Sequence, residues 1–287
     1  MTYYTHAGLF HCDEVMGYAI CKAANVAGRV ERLTDITNIP TNGIVADIGR
    51  EWIPTERKFD HHQGFFTRPN GYPLASAGML WQFYGLEAIS NTIFDLSPSM
   101  MSAIFHRVDE RLIQGIDAHD ADSQYKVFAS CSAGEVDVLT LSVIVSKMNG
   151  EDVNNQERQL FKFINASELC HSTLIGAIKE AHQFLLAKDK FTDVATFPIP
   201  EVCVLSEGMP WKEIVHESYP DCLYVISPSN HPGSPYSMIA VPVEPTSRET
   251  RKPIDRPSWF EGFIHQGKWI AGGESAEQLI ELAKAQL

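Results

Sequence analysis

The chain has 287 residues, 44% of them hydrophobic and 21% charged, which is enough for ordinary cores and natural for two domains. Its net charge of −13 excludes a protein that wraps long duplex nucleic acid through a broad basic face. A small or single-stranded phosphate substrate, held by a metal and a few local cations, stays compatible with that charge.

The first predicted strand is TYYTH, which runs into a turn at Ala7-Gly8. From about Cys12 to Val26, Val15, Ala19 and Ala23 recur with helical spacing, and Met16 and Ile20 lie on adjacent rows. VERLT is a second strand. NGIVADIG is a third, with the continuous apolar run of a buried parallel strand, ending in Asp47. One helix is predicted from about Leu74 to Gly85, and another from Ser97, an N-cap before Pro98, to about Ile116. Strand, helix, strand, strand, helix is the order of an open α/β sheet. Residues 125–150 hold EVDVLTLSVIVSKMNG, read as helical, and 154–188 form a helix-rich run. After FPIP come three strand-like stretches, VCVL, CLYVIS and SMIAVPV, and a closing helix, SAEQLIELAKAQL. The expected division is a metal-binding catalytic domain over 1–125, a helical connection over 126–190, and a smaller substrate-binding α/β domain over 191–287.

Six scattered cysteines without a CxxC read as reduced, mostly buried thiols. The N-terminus lacks the basic flank and apolar core of a signal peptide, and no apolar run approaches the ~20 residues of a membrane span. The expectation is a soluble cytoplasmic protein with no membrane partner, as a monomer or a homo-oligomer.

Metal-capable side chains gather at predicted strand ends and adjacent loops. His6 follows the first strand, His11 and Asp13 stand at a helix entrance, and Asp47 ends a buried strand. Asp60, His61 and His62 share a loop, and Asp117 and Asp120 follow in GIDAHDAD. Open α/β sheets bind ligands beyond the carboxyl ends of their strands, so these residues suit a mixed N/O site for Mn²⁺, Mg²⁺, Zn²⁺ or Fe²⁺. They outnumber the ligands of a single ion, which points to two metals. Paired ions roughly 3.5–4 Å apart stabilise the entering and departing oxygens of phosphoryl displacement. Each residue alone has an ordinary explanation: a loop histidine, a carboxylate favoured by a helix dipole, a turn aspartate. The conjunction carries the reading. In the C-terminal part, His265 and Lys268 precede Gly272-Gly273, which would let backbone N–H groups approach a phosphate. Arg248, Arg251, Lys252 and Arg256 form the one dense basic run, either a charged surface loop or a local positive field. Trp211 and Trp259 are core residues or stack bases.

HAGLFHCDE, VADIG, FDHHQ and SAG, in this order, resemble the MYG family of the DHH superfamily of metal-dependent phosphoesterases. Looser echoes (LSVIVSKMN, PWKEIV, AVPV, RKP and FIHQGKWIAGG) extend the resemblance over nearly the whole chain. It implies a DHH-type parallel-sheet N-terminal domain and a smaller α/β C-terminal domain, with the active site in the cleft between them. It also implies a dinuclear, Mn²⁺-type site, a bridging metal-hydroxide nucleophile, and 3′-to-5′ exonuclease action on short or single-stranded RNA. On this resemblance His6, His11 and Asp47 hold one ion; Asp13, Asp47, His61 and either Asp117 or Asp120 hold the other. His62 faces the substrate phosphate, Asp60 orients its neighbours, and Ser76, His265, Lys268 and Arg251 bind substrate. GIDAHDAD departs from the DAxDNG form of the family, which leaves Asp117 and Asp120 unseparated. The alternatives are a pyrophosphatase or small-molecule phosphoesterase on the same site, and a non-catalytic, metal-stabilised binding protein.

Overall fold

The computed structural model describes residues 1–121, 139–151 and 153–287. The chain folds as two compact units, Met1–His182 and Gln183–Leu287.

The first unit is built on a five-stranded sheet. Strands β1 (Thr2–His6), β2 (Arg29–Leu33), β3 (Ile44–Ala46), β4 (Trp52–Ile53) and β5 (Lys58–Phe59) are ordered β2-β1-β3-β5-β4. The β1–β2, β1–β3 and β3–β5 pairs are parallel, and β4 pairs antiparallel to β5 at the edge. The chain leaves β1 to one side for β2 and returns to the other for β3, so the strand order reverses between β1 and β3. That is the place where an open α/β sheet opens a crevice beyond its carboxyl ends. Tyr3, Ile44 and Phe59 are fully buried, as expected of short strands covered by helices.

Helix α1 (Cys12–Ala23) carries Val15, Met16, Ala19 and Ile20 into the core. It meets α2 (Ser76–Thr92) closely at Gly17, where a Cβ would stand 2.6 Å from both Leu80 Cδ1 and Tyr3 Oη. Sequence periodicity ends this helix at Gly85, but α2 runs on to Thr92. Gly85 is a packing residue, not a cap: a Cβ there would lie 2.8 Å from Trp81 and 2.9 Å from Phe105. Helix α3 (Pro98–Val108) starts as predicted, with Ser97 Oγ accepting from the Met100 N–H. A π-helical turn, Asp109–Ile113, then leads into α4 (Gln114–Ala121), so the single predicted helix is two with an inserted turn. Of the stretch 135–150, α5 (Leu141–Lys147) is helical with a Thr140 cap, and residues 135–138 lie outside the described residues. Helix α6 (Gln156–Val194) buries Phe163, Ala166, Cys170, Leu174 and Ile178 at three- and four-residue intervals. It begins in the first unit and ends in the second.

The second unit carries a six-stranded sheet, β10-β11-β9-β8-β7-β6. Its strands are β6 (Ala195–Ile199), β7 (Val202–Leu205), β8 (Tyr224–His231), β9 (Ser234–Ala240), β10 (Phe263–Ile264) and β11 (Ile270–Gly273). All pairs are antiparallel except β7–β8. Alternation along the strands feeds two cores. Cys203, Leu205 and Val225 pack with Phe184 and Phe191 of α6 and with Ile214 of α7 (Lys212–Ser218). Val202, Tyr224, Ile226 and Met238 pack with Leu279 and Leu282 of α8 (Ala276–Lys284). The chain is therefore a mixed α/β protein with two sheets. Among the described residues no helix is long and apolar enough to cross a membrane, and Cys12, Cys21, Cys170, Cys203 and Cys222 are free and buried.

Candidate metal centre

Three parallel strands deliver the site. β1 ends in His6, β3 is followed by Asp47, and β5 is followed by Asp60, His61 and His62. Asp47 adopts φ +60°, a left-handed conformation that a residue with a Cβ rarely takes. Its N–H donates to Phe59 O at 3.1 Å, which ties the turn after β3 to β5. Such strain is kept where the surroundings over-determine it, commonly at functional sites.

His6 Nδ1 lies 2.9 Å from the Ala7 carbonyl, which leaves Nε2 facing Glu14 Oε1 and Asp47 Oδ2, each at 3.3 Å. A backbone carbonyl on one ring nitrogen is the usual way to orient a histidine whose other nitrogen binds a metal. His11 is the N-cap of α1, and its N–H donates to both Glu14 carboxylate oxygens at 2.9 Å. Its ring lies 5.9 Å from that of His6. Asn149 holds the preceding loop like a strand partner, accepting from Phe10 N at 2.9 Å and donating to Phe10 O at 2.8 Å.

Asp13 is fully buried, and among the described residues neither of its carboxylate oxygens has a hydrogen-bond partner. His61 Nε2 stands 3.1 Å from Asp120 Oδ2, 3.4 Å from Asp47 Oδ1 and 3.9 Å from Asp13 Oδ2. Despite these distances it makes no hydrogen bond of acceptable angle among the described residues. Buried polar atoms are normally satisfied, so neighbouring orphaned atoms on Asp13 and His61, 3.9 Å apart at Oδ2 and Nε2, suit a metal partner. Carboxylate oxygens and imidazole nitrogens are the donor set that Mn²⁺, Fe²⁺ or Zn²⁺ accept, and the residues fit a metal. Within each of three overlapping groups the donor atoms lie within 4.8 Å of one another: His6, His11, Glu14 and Asp47; Asp47, His61 and His62; His11, Asp13 and Asp120.

The charges agree with this geometry. Burial disfavours charge on His6 and His61, but the carboxylates around them outweigh it and push each up to about 10. For Asp47 burial likewise opposes charge, and His6 and His61 hold its carboxyl below the usual carboxylate range. Asp13 is raised well above that range by burial and by the neighbouring Asp47 and Asp120.

The predicted residues divide into groups. Of the two late aspartates, Asp120 reaches His61 and His11, whereas Asp117 turns away and is buried. Asp117 accepts from Gly78 N at 2.9 Å and from Arg68 Nη2 at 2.7 Å. Arg68 also binds both Asp109 oxygens at 2.8 Å and the Pro73 carbonyl. Asp60 accepts from Arg50 N at 2.6 Å and from His62 Nδ1 at 2.7 Å, so it orients its neighbour. His62 is 51% exposed, its Nδ1 raised first by Asp60. Ser76 Oγ is buried and points to Asp47 Oδ1 at 3.4 Å.

In the second unit, Arg251 Nη1 is committed to the carbonyls of Tyr219, Pro220 and Cys222. Lys268 pairs with Asp255 at 2.6 Å. His265 Nδ1 accepts from Gly267 N at 3.0 Å, and its ring lies 5.2 Å from that of Trp269. Gly272 and Gly273 sit where a Cβ would meet Ser234 Oγ at 2.6 Å and Gln278 Oε1 at 2.8 Å. Trp211 is buried and Trp259 half exposed.

Glu14, Arg68 and Asn149 escaped the sequence reading as site-supporting residues. Glu14 was visible as one half of the motif HCDE, and Asn149 as the end of SKMN; Arg68 carries no local signal.

Fold and site together define a mixed α/β protein whose His/Asp cluster at parallel strand ends can bind metal. The chain belongs to the MYG1 exonuclease family, described as Uncharacterised protein family (UPF0160), whose profile matches residues 2–287. The MYG1 exonuclease of Homo sapiens is 24% identical over 321 residues, covering 99% of this chain and 85% of the relative. MYG1 protein C27H6.8 of Caenorhabditis elegans is 27% identical over 323 residues, covering 99% and 94%. MYG1 protein YER156C of Saccharomyces cerevisiae is 24% identical over 324 residues, with the same coverage. A solved structure, the pGpG-specific phosphodiesterase PggH from Vibrio cholerae, aligns over 99% of this chain and 96% of that one. At 13% identity and a TM-score of 0.31 that likeness carries no argument.

Proposed function

We propose that the chain is a DHH-type, metal-dependent phosphodiester hydrolase that shortens single-stranded RNA from its 3′ end. The observation that carries the reading is the set of orphaned buried atoms on Asp13 and His61, ringed by Asp47 and Asp120. The exonuclease name of the human relative supports strand shortening as the reaction, and RNA and the 3′ polarity follow the family resemblance. His6, His11 and Asp47 would hold one divalent ion; Asp13, Asp47, His61 and Asp120 would hold a second. Bound Mn²⁺ would polarise a phosphoryl oxygen and lower the pKa of a water.

The protein's own groups do the rest. Glu14 fixes the backbone of His11, and the Ala7 carbonyl orients the ring of His6 through Nδ1, so Nε2 is left for the metal. Ser76 Oγ steadies the Asp47 carboxylate. Asp60 holds His62 through Nδ1 and favours its charged form, which leaves a half-exposed ring to pair with a non-bridging phosphate oxygen.

The test is a 5′-labelled RNA oligonucleotide incubated with chelator-treated protein and re-added Mn²⁺. A ladder that shortens stepwise from the 3′ end is expected, with Asp47→Ala losing nearly all turnover while keeping its fold by circular dichroism. Release of inorganic phosphate alone, or activity retained in Asp47→Ala, overturns the reading.

A further inference from the structure

We propose that a groove in the second unit binds a nucleotide unit of a single-stranded strand, its base on Trp269 and its phosphate between Lys212 and Arg248. The groove encloses about 410 Å³ and is lined by Lys212, Ser247, Arg248, Thr250, His265 and Trp269 over a floor of β9 residues. It lies at the start of β11, the opposite end of that strand from Gly272-Gly273. The assignment rests on the proposed hydrolase reading for its strand, and it names where that strand is gripped.

Three features point to a ligand. First, Trp269 is 41% exposed, although a large aromatic side chain gains most from burial. Second, Lys212 and Arg248 are exposed and have no carboxylate partner among the described residues. Four other lysines of the same stretch of chain do find one: Lys188–Glu217, Lys190–Glu207, Lys268–Asp255 and Lys284–Glu281. Two cations without carboxylate partners on one groove give it local positive charge.

Third, the groove is preorganised. The Trp269 carbonyl accepts from Ala240 N at 3.0 Å, and His265 and Lys268 close the tight β10–β11 turn through a 2.8 Å bond. The His265 ring stands at 53° to the indole, fixed by its bond from Gly267 N. The loop that presents Arg248 is pinned at both ends, by Val243 N to Glu249 O at 2.9 Å and Arg251 N to Val241 O at 2.8 Å. An aromatic platform beside a pair of cations is how sequence-tolerant sites hold single strands, the ring taking a base face and the cations its phosphate. Ser247 and Thr250 add hydroxyls for the sugar–phosphate edge.

The experiment measures binding, by the full chain in EDTA, of a labelled single-stranded oligonucleotide by fluorescence anisotropy and of a 5′-mononucleotide by calorimetry. Native protein is compared with Trp269→Leu and with the double variant Lys212→Glu/Arg248→Glu. Trp269→Leu is expected to weaken strand binding by about fivefold or more with the salt dependence unchanged. The double charge reversal is expected to flatten the slope of log affinity against log salt by about 1.4. Mononucleotide binding that is lost in both variants assigns the groove to free nucleotide as well; strand binding alone assigns it to a nucleotide within a chain. Affinities and slopes equal to native in both variants overturn the proposal. Because EDTA stops turnover, failure of the hydrolase reading leaves this measurement intact. RNA cut by native protein but bound equally by all three forms sinks the groove alone.

Discussion

At the residue scale, the centre stores unfavourable electrostatics that a cation would relieve. Asp13, fully buried, has no hydrogen-bond partner among the described residues, and Asp47 sits in a left-handed conformation. Active sites keep such costs because removing them removes function. Asp13→Asn is therefore expected to leave the metal-free protein as stable as native or more so, and to abolish the rise in Tm on adding Mn²⁺. Thermal scans with and without the ion check both halves, and a variant that still gains Tm with Mn²⁺ would clear Asp13 of metal binding. His61 and His62 show how neighbours divide work: one nitrogen faces three carboxylates, the other ring is tied to Asp60. Their adjacency on a loop permits both directions, which a strand or helix would not.

At the element scale, the support of the centre is a buried ionic bracket. Arg68 joins Asp109 of the π-helical turn to Asp117 of α4, and Asp117 accepts from Gly78 of α2. The same helix, α4, carries Asp120 one turn beyond Asp117, so the bracket sets where Asp120 stands. Burial is the largest influence on Asp117 and pushes it up to about 7, against the pull of Arg68. Arg68→Ala strands two carboxylates, and the cost expected for breaking a buried pair is about 3–5 kcal/mol in urea denaturation. Gly78→Ala is expected to fail in the same way, because its Cβ would fall 1.9 Å from Asp117 Oδ2. A Gly78→Ala protein with native stability would show that the bracket is dispensable.

At the scale of the whole molecule, a chain of net charge −13 concentrates protonated histidines where it concentrates carboxylates. His6 and His61 are raised from 6.5 to about 10 in the metal-free protein. A raised folded-state pKa contributes stability that is complete below pH 6.5 and lost as the pH climbs through about 10. The Tm in EDTA is thus expected to fall between pH 6.5 and 10, and a flat or rising Tm would contradict the ion pairing described. Metal binding near neutral pH must displace those protons. Calorimetry of Mn²⁺ binding in two buffers of different ionisation enthalpy is expected to report proton release.

What the sequence by itself determined was the local grammar. The strands at TYYTH, VERLT and IVA, the caps at Ser97 and Ser275, and the order of the His and Asp motifs are functions of neighbours a few residues apart. Short-range periodicity and capping chemistry write those directly into the chain. Tertiary structure alone chose Asp120 over Asp117, extended α2 past Gly85, and recruited Arg68 and Asn149 as supports. Each of these depends on what lies across a packed interface, from a residue 24 to 139 positions away for the contacts of Trp81, Arg68 and Asn149. The sequence placed both late aspartates after a helix ending near Ile116; the fold carries them on α4, and the π-helical turn and the Arg68 bracket set which one faces His61.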